Sequence, residues 1–334
     1  MRSRVRNASL ASFAALALAV SVGACAEQSG GGGASADDYP KKQIQYIIPF
    51  DPGGESDVTA RLQQKPLEKE FGQSVVVSNR EGGGGAVGWS QLAKRTKADG
   101  YTIMGSNLPH VVLQPLARDD AGYETDDIKW AYLFQRTPGA LIVAKNSPYK
   151  TVEQFVAAAK KKKLTVGGSG SYSANHMGTL ALNAETGGKS TYVPFSGTAA
   201  VTPALLGGQV DAIMSYNTSA LDLKEKGARV LAFASDERLE QFPDVPTFKE
   251  KGYDITTQAT AYRGVAVPPD TPDAVVKKIA TAFEKVNKDP TAAKKMAKLG
   301  LEREDMGPAE AKKFVDEQKG TQKELLEEFG LLKN

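Results

Sequence analysis

The stretch that decides the fold runs from Ile44 to Arg61 and reads IQYIIPFDPGGESDVTAR. Its first five residues, Ile44 to Ile48, are mostly apolar and predict a buried strand. Two prolines and two glycines follow and end the strand, because proline fixes φ and lacks a donor while glycine admits left-handed backbone. Ser56 or Asp57 can cap the helix that comes next. We therefore expect a strand, a turn and a helix start, which bring free N–H groups and the positive end of a helix dipole to one point.

Such a point is a natural anion site, although a Pro-Gly-Gly turn also serves as a plain tight connection in an α/β sheet. Asp51 and Glu55 make the loop itself acidic, which counts against a strongly charged phosphate as the ligand.

The same architecture recurs twice further along the chain. Residues 164–166 run into a glycine-serine loop and an apolar helix that Ser173 can cap, and residues 192–198 lead into another helix start. Alternating strands and helices predict a mostly parallel sheet with helices on its faces. Ligands of such sheets bind at the carboxyl ends of the strands, where these loops lie.

The N-terminus reads as an export signal with a lipid anchor. A start with three arginines precedes the apolar run from Ala8 to Val22, which is too short to span a bilayer with any margin. Small residues then lead to Cys25, as in a lipoprotein lipobox; a plain signal peptide or a lone buried cysteine are the alternatives. Residues 1–24 are thus predicted to be the signal peptide and residues 25–39 a flexible glycine-rich tether. We expect an extracytoplasmic body, anchored to the membrane by lipidated Cys25 in the periplasm or on the outer face of the cytoplasmic membrane.

Length and charge narrow the class of protein. A chain of 334 residues with 41% apolar residues suits two domains with proper cores. Without the three arginines of the leader it carries 39 basic and 39 acidic residues, so no electrostatic footprint for nucleic acid is present. The longest basic run, residues 160–163, is interpreted as a solvated helix end. One cysteine excludes an internal disulfide.

Side chains for catalysis are scarce. His110 and His176 are the two histidines of the chain, which nearly excludes triads and histidine-based metal sites. No enzyme, cofactor or metal is therefore expected. For His176 two interpretations stay open, a hydrogen bond that holds the shape of the neighbouring loop or a direct contact with a ligand.

A glycine motif leaves one alternative from another class of protein. Gly83, Gly85 and Gly88 fit the dinucleotide-binding pattern, so a nucleotide-dependent enzyme that uses Gly82–Gly88 is conceivable. Three polar residues separate this motif from the preceding strand, and the next strand does not end in an acid, which weakens that interpretation.

Several motifs in a fixed order resemble the extracytoplasmic solute receptors of tripartite tricarboxylate transporters, the TctC or Bug family. The resemblance covers residues 40–334. Its carriers are Pro49 to Asp57 with residues 60–62, residues 75–80 with the glycine run, and residues 99–102, 167–176, 203–211 and 242–247.

The resemblance implies an α/β, two-domain, periplasmic-binding-protein-like fold of type II, a Venus flytrap with mostly parallel sheets and a cleft between the domains. Residues 40–140 and 257–334 are expected to form domain 1 and residues 141–256 domain 2. Such a receptor captures a small organic carboxylate and delivers it to the membrane permease subunits. A solute sensor that relays occupancy to a membrane signalling partner is the alternative within the same fold. A monomer is expected.

In this family the ligand carboxylate is held by the loop after the first strand and by the glycine-serine loop of the second domain. Carried onto this chain with the neighbouring strand ends, the expected ligand-binding residues are Phe50, Pro52, Gly53, Gly54, Ser56, Asp57, Ser106, Asn107, Ser169, Gly170, Ser171, Ser173, His176, Ser196, Gly197, Thr198, Tyr216, Asn217 and Arg263.

Three positions depart from the family pattern. Pro66 falls in a helix that is usually uninterrupted, and we expect it to kink or split that helix. Tyr216 and Asn217 stand where many members have an acid and an asparagine, so a ligand amino group loses a counter-charge there. Arg263 can bind a carboxylate with two hydrogen bonds, which favours a di- or tricarboxylate such as citrate over an amino acid. The alternative for Arg263 is a surface or interdomain ion pair.

Overall fold

The structure, a computed structural model, describes residues 38–333. The predicted signal peptide, the lipidation site Cys25 and residues 26–37 of the tether lie outside the described residues. Tyr39, the last residue of the predicted tether, is buried, and its hydroxyl donates to the carbonyl oxygen of Gly100 at 2.7 Å. The bounds of the tether stay a prediction. Within residues 38–333 no helix is long and apolar enough to cross a membrane.

The described residues form eleven strands and eleven α-helices. The strands are β1 (Ile44–Ile48), β2 (Val75–Asn79), β3 (Thr102–Leu108), β4 (Lys129–Thr137), β5 (Gly139–Val143), β6 (Thr165–Ser169), β7 (Thr191–Phe195), β8 (Ala212–Tyr216), β9 (Arg229–Phe233), β10 (Ala261–Val267) and β11 (Glu302–Met306). The helices are α1 (Glu55–Phe71), α2 (Ala86–Arg95), α3 (His110–Ala117), α4 (Val152–Lys161), α5 (Ala174–Thr186), α6 (Thr198–Leu206), α7 (Asn217–Glu225), α8 (Thr256–Ala259), α9 (Asp273–Lys288), α10 (Pro290–Lys298) and α11 (Pro308–Glu328).

The strands form two sheets. The first has the order β11-β4-β10-β3-β1-β2 and the second the order β7-β6-β8-β5-β9. Four of the nine strand pairings are parallel and five are antiparallel. The expectation of mostly parallel sheets is therefore corrected to mixed sheets. The reason is that β4, β5 and β10 carry the chain from one sheet to the other, so they enter their sheets without a βαβ crossover.

The chain passes between the sheets at two places. Pro138 alone separates β4 from β5, and the return runs from β9 to β10. The domain boundaries expected after residues 140 and 256 lie near these passages and stay predictions.

Each sheet has its own core. In the first, the ring of Phe283 on α9 contacts Tyr46 of β1 and Phe134 of β4, both at 5.8 Å between centroids. In the second, alternate residues of the strands pack on opposite faces, with Leu141 and Ile142 of β5 in different clusters. Burial on both faces requires helices on both sides of the sheet.

The predicted strand, turn and helix at Ile44 to Arg61 are confirmed, with two local corrections. The helix begins at Glu55 with Gly54 as the N-cap, and no side chain caps it, so neither Ser56 nor Asp57 has the expected capping role. Pro66 does not split the helix, which continues to Phe71. Leu67 and Phe71 are buried after the proline, and their packing holds the last turns against the loss of one backbone hydrogen bond.

Candidate functional site

A small cavity of about 20 Å³ lies where the turns after β1 and β7 meet the ends of β6 and β8. Its lining residues are Phe50, Asp51, Gly54, Glu55, Ser56, Asn107, His110, Ser169, Gly197, Thr198, Tyr216 and Arg263. A cavity of this volume has room for about one water molecule. The cavity lies near the carboxyl ends of strands, where the ligand is expected, and its role as the ligand site stays a prediction. A larger solute requires the lining loops to separate.

Nine of the predicted ligand-binding residues line this cavity. They are Phe50, Gly54, Ser56, Asn107, Ser169, Gly197, Thr198, Tyr216 and Arg263. The other ten lie outside its lining, namely Pro52, Gly53, Asp57, Ser106, Gly170, Ser171, Ser173, His176, Ser196 and Asn217. The ligand-binding role of both sets stays a prediction.

Several of the ten have structural contacts instead. The Asp57 carboxylate accepts from the backbone N–H of Gly53 and from Arg61, both at 2.9 Å. The Asn217 side-chain amide donates to the carbonyl oxygen of Gly300. Ser106 lies inside β3 and is fully buried, rather than following the strand.

Three lining residues were not among the predicted ones, Asp51, Glu55 and His110. Asp51 and Glu55 are adjacent to the predicted loop residues, but in the sequence their negative charge argues only against a phosphate as the ligand. No motif surrounds His110, which starts α3 directly after β3 and Pro109. The sequence could have identified His110 as a lining residue only from its position, shortly after a strand of the first sheet.

Arg263 forms a buried ion pair with Glu55. The guanidinium Nη1 lies 3.0 Å from Oε1 of Glu55, and both side chains are only 4% exposed. The same Oε1 accepts hydrogen bonds from Gln135 at 2.8 Å and Thr137 at 2.9 Å. The guanidinium also lies over the ring of Tyr216, 4.7 Å from its centroid. Arg263 therefore forms an ion pair, as the alternative expected, but the pair is buried and joins two residues of the expected domain 1 rather than lying at the surface or between domains. Its positive charge is balanced inside the protein.

The starts of α1 and α6 face oxygen atoms from the opposite sheet. The backbone N–H of Glu55 donates to Oγ1 of Thr198 at 3.0 Å. A Cβ on Gly197 would lie 1.8 Å from Oδ1 of Asp51, which shows how closely that carboxylate approaches the start of α6. Burial raises the pKa of Asp51, against the backbone N–H groups of Asp51 and Ala200, which lower it. Both predicted helix-start anion sites therefore meet oxygen atoms of the chain itself.

His110 is a buried neutral imidazole at the cavity. It packs against the rings of Phe50 and Trp89, with centroids 5.5 and 6.4 Å away. Burial, followed by the positive charge of Arg263, lowers its pKa to about 3. Neither ring nitrogen has a hydrogen-bond partner within residues 38–333. A neutral imidazole offers one donor and one acceptor to a molecule in the cavity.

The glycine-serine loop after β6 is held by its own side chains. Asn175 Oδ1 accepts from the backbone N–H of Ser169 at 3.1 Å and from its hydroxyl at 2.6 Å. Ser173 Oγ accepts from the backbone N–H of His176 at 3.1 Å, so the predicted cap of α5 is confirmed. The Ser173 hydroxyl also contacts the carbonyl oxygen of Gly170 at 3.0 Å. These bonds fix the loop before any ligand arrives.

His176 belongs to the support of this loop. Its Nδ1 accepts from the backbone N–H of Tyr172 at 3.2 Å, and its ring stacks on Tyr192 with centroids 4.5 Å apart. Burial lowers its pKa to about 4. The interpretation that His176 holds the shape of the loop is confirmed.

Packing accounts for two glycines of the dinucleotide-like motif. A Cβ on Gly85 would lie 2.6 Å from the ring of Trp89, and one on Gly88 would lie 2.8 Å from Pro49. The close approach of α2 to the first sheet therefore requires glycine at position 88, and the ring of Trp89 on the same helix together with a φ of 98° requires it at position 85. Neither requirement involves a nucleotide.

Comparison with known proteins assigns the family. The model of the tripartite tricarboxylate transporter family receptor, TctC, matches residues 59–331. The chain belongs to the TctC family. The predicted resemblance to the TctC or Bug receptors is confirmed.

Relatives and solved structures agree with this assignment. A Cupriavidus necator protein, the UPF0065 protein in the gbd 5' region, is 30% identical over 302 residues, which are 90% of this chain and 91% of that protein. The periplasmic binding protein BugD has a TM-score of 0.82 at 27% identity, covering 89% of this chain and 100% of BugD. R. palustris Rpa4515 with adipate has a TM-score of 0.83 at 26% identity, covering 88% and 99%. These TctC-family likenesses confirm the two-domain periplasmic-binding-protein fold.

Proposed function

We propose that this TctC-family protein is a lipid-anchored, extracytoplasmic receptor that captures a small carboxylate-bearing solute and delivers it to the membrane subunits of a tripartite tricarboxylate transporter. The observation that carries the proposal is the convergence of two helix starts, α1 and α6, on one small cavity between loops of different sheets. The similarity to Rpa4515, which is described with adipate, supports a carboxylate as the ligand.

The donors around the cavity suit a carboxylate head group. The backbone N–H of Glu55 donates to the hydroxyl oxygen of Thr198. When the loops separate and close again on a ligand, a carboxylate oxygen of the ligand replaces that acceptor. Ser56 and Asn107 add a hydroxyl and an amide donor to the same lining. Closure then removes water from these hydrogen bonds and strengthens them, as in other hinge-closing receptors.

The choice of a di- or tricarboxylate such as citrate rested on Arg263. Since Glu55 already balances that guanidinium, the argument for a second carboxylate at this place loses its support. The carboxylate head itself does not depend on Arg263, because helix starts and hydroxyl groups recognise it.

Thermal melting with a panel of organic acids tests the proposal. A ligand at a hundred times its dissociation constant adds about 2.7 kcal/mol to the free energy of unfolding, which raises the melting temperature by several degrees. Ser56→Ala should reduce the shift because it removes a hydroxyl donor from the lining, whereas the control Thr281→Val, on the exposed face of α9, should not. A panel with no shift from any carboxylate contradicts the receptor function.

Anchoring and delivery need separate experiments. Cys25→Ala should release the full-length protein from the membrane fraction, and unchanged membrane attachment would contradict lipidation. Cross-linking in membranes should capture permease subunits of a tripartite transporter. Capture of a membrane signalling protein instead would favour the alternative, a solute sensor that uses the same cleft.

A further inference from the structure

Two carboxylate oxygens in the cavity lining have no partner within the described residues. They are Oδ1 of Asp51 and Oε2 of Glu55, both fully buried as atoms. The Asp51 side chain as a whole is 9% exposed and that of Glu55 4%. Buried carboxylate oxygens without hydrogen-bond donors are costly, so a ligand that supplies donors fits this lining better than one that supplies more acceptors.

The formal charges of the residues that line the cavity also favour a ligand with hydrogen-bond donors. Asp51 and Glu55 are acidic, Arg263 is basic, and His110 is neutral because its pKa lies near 3. The ion pair of Arg263 with Glu55 leaves the charge of Asp51 without a cation in the lining. A ligand with two or three carboxylates would place further negative charge in a small enclosed site, which is unfavourable unless each charge is paired.

We propose that Asp51 sets the specificity of this site by receiving a cationic nitrogen of the ligand, so that the solute is an amino-acid-like zwitterion rather than a plain di- or tricarboxylate. This inference rests on the proposed receptor function and concerns the same cavity. The start of α1 and the hydroxyl groups take the carboxylate of the solute, and the unpartnered oxygens of Asp51 and Glu55 take the donors of its ammonium group.

Matched acids test the proposal directly. L-Aspartate differs from succinate, L-glutamate from glutarate and L-alanine from propionate by one ammonium group. Calorimetric titration of the full-length protein should show that at least one amino acid binds roughly 10- to 100-fold more tightly than its nitrogen-free partner, the range for a hydrogen bond to a charged group. Asp51→Asn, which keeps the shape and removes the charge, should abolish that preference. The control Asp270→Asn, at an exposed acid, should leave it unchanged.

Each contrary result has a defined meaning. Equal or tighter binding of succinate, glutarate, propionate, citrate or adipate by the wild-type protein overturns the role of Asp51 and leaves the receptor function standing. A loss in Asp51→Asn that is equal for both members of a pair also overturns it, because it indicates a structural role. Absence of binding by every acid of either kind contradicts the receptor function as well. If Asp51→Asn fails to fold, the wild-type preference within the pairs decides alone.

Discussion

Nη1 of Arg263 and Oε1 of Glu55 lie 3.0 Å apart in a site where both side chains are almost completely buried. A buried pair of this kind is weak support for stability as a whole, but the loss of one partner leaves an uncompensated charge. The loss of stability caused by replacing one of the two residues therefore depends on whether the other is still present.

The first prediction concerns this ion pair. Glu55→Gln should lower the free energy of unfolding by about 3 kcal/mol or more, because it leaves the guanidinium of Arg263 buried without a counter-charge. Arg263→Met should be comparably destabilising. The double variant should be much less unstable than the sum of the two, as measured by urea denaturation in a double-mutant cycle. Additive losses would show that the two charges do not interact.

A second prediction concerns the contact between Gly197 and Asp51. Gly197→Ala places a Cβ 1.8 Å from Oδ1 of Asp51, so the loops cannot close as they do in the native protein. The backbone of Gly197 is extended and adopts no strain with alanine, so the effect is one of contact. We expect closure to cost about 1–3 kcal/mol more. Small-angle scattering should show a larger radius of gyration, and carboxylate affinity should fall.

The Gly197 experiment has a matched rescue and a matched control. Asp51→Ala removes the clashing carboxylate and should restore the native radius in the double variant. Gly320→Ala, in the exposed part of α11 with nothing near its Cβ, should leave the radius unchanged and raise the free energy of unfolding by about 0.5–1 kcal/mol. No recovery in the double variant would mean that Gly197 acts through something other than Asp51.

The third prediction concerns the cap of α5 at Ser173, which supports the glycine-serine loop. Ser173→Ala should lower the free energy of unfolding by about 1 kcal/mol through the loss of the cap of α5. Ser171→Ala should leave stability unchanged, since the side chain of Ser171 has no such capping role. Equal stability of the two variants in urea denaturation would contradict the capping role.

The fourth prediction is a loss of stability in mild acid. His110 and His176 have folded-state pKa values of about 3 and about 4, below the ordinary 6.5, so the unfolded chain binds more protons than the folded one as the pH falls. At about pH 5 each histidine should lower the free energy of unfolding by about 2 kcal/mol relative to neutral pH. Urea denaturation at the two pH values measures the difference.

A variant assigns part of that pH dependence. His176→Asn keeps an acceptor for the backbone N–H of Tyr172 and removes one titrating group, so it should roughly halve the loss between the two pH values. An unchanged loss would mean that His176 is protonated normally in the folded protein.

Local pattern predicted the elements of the fold well, because strands, glycine turns and helix starts are written in adjacent residues. The strand and helix of Ile44 to Arg61 and the cap at Ser173 illustrate this. The edge strand β11 has no such local signal, because its sequence, EREDM, is polar and its place depends on pairing with β4. Mixed sheet order also depends on pairings between distant residues, which no local pattern encodes.

In the candidate site, too, local sequence predicts some residues, whereas others depend on contacts between distant parts of the chain. Phe50, Gly54 and Thr198 follow strands and could be placed from their motifs. The partner of Arg263 could not, since Glu55 is 208 positions away in the chain and its role becomes visible only when α1 and β10 are packed together. Asp51 looked like an obstacle to an anion, whereas in the structure it is an unpartnered acceptor.

The single residue Pro138 between β4 and β5 limits how the two sheets can move relative to each other. Two strands joined by one proline, whose φ is fixed, leave few backbone torsions through which the two sheets can turn relative to each other. A joint this short confines any relative motion of the two sheets to a narrow set of directions. We therefore expect fluorophores on exposed residues of the two sheets to report solute binding as one reproducible change in their separation.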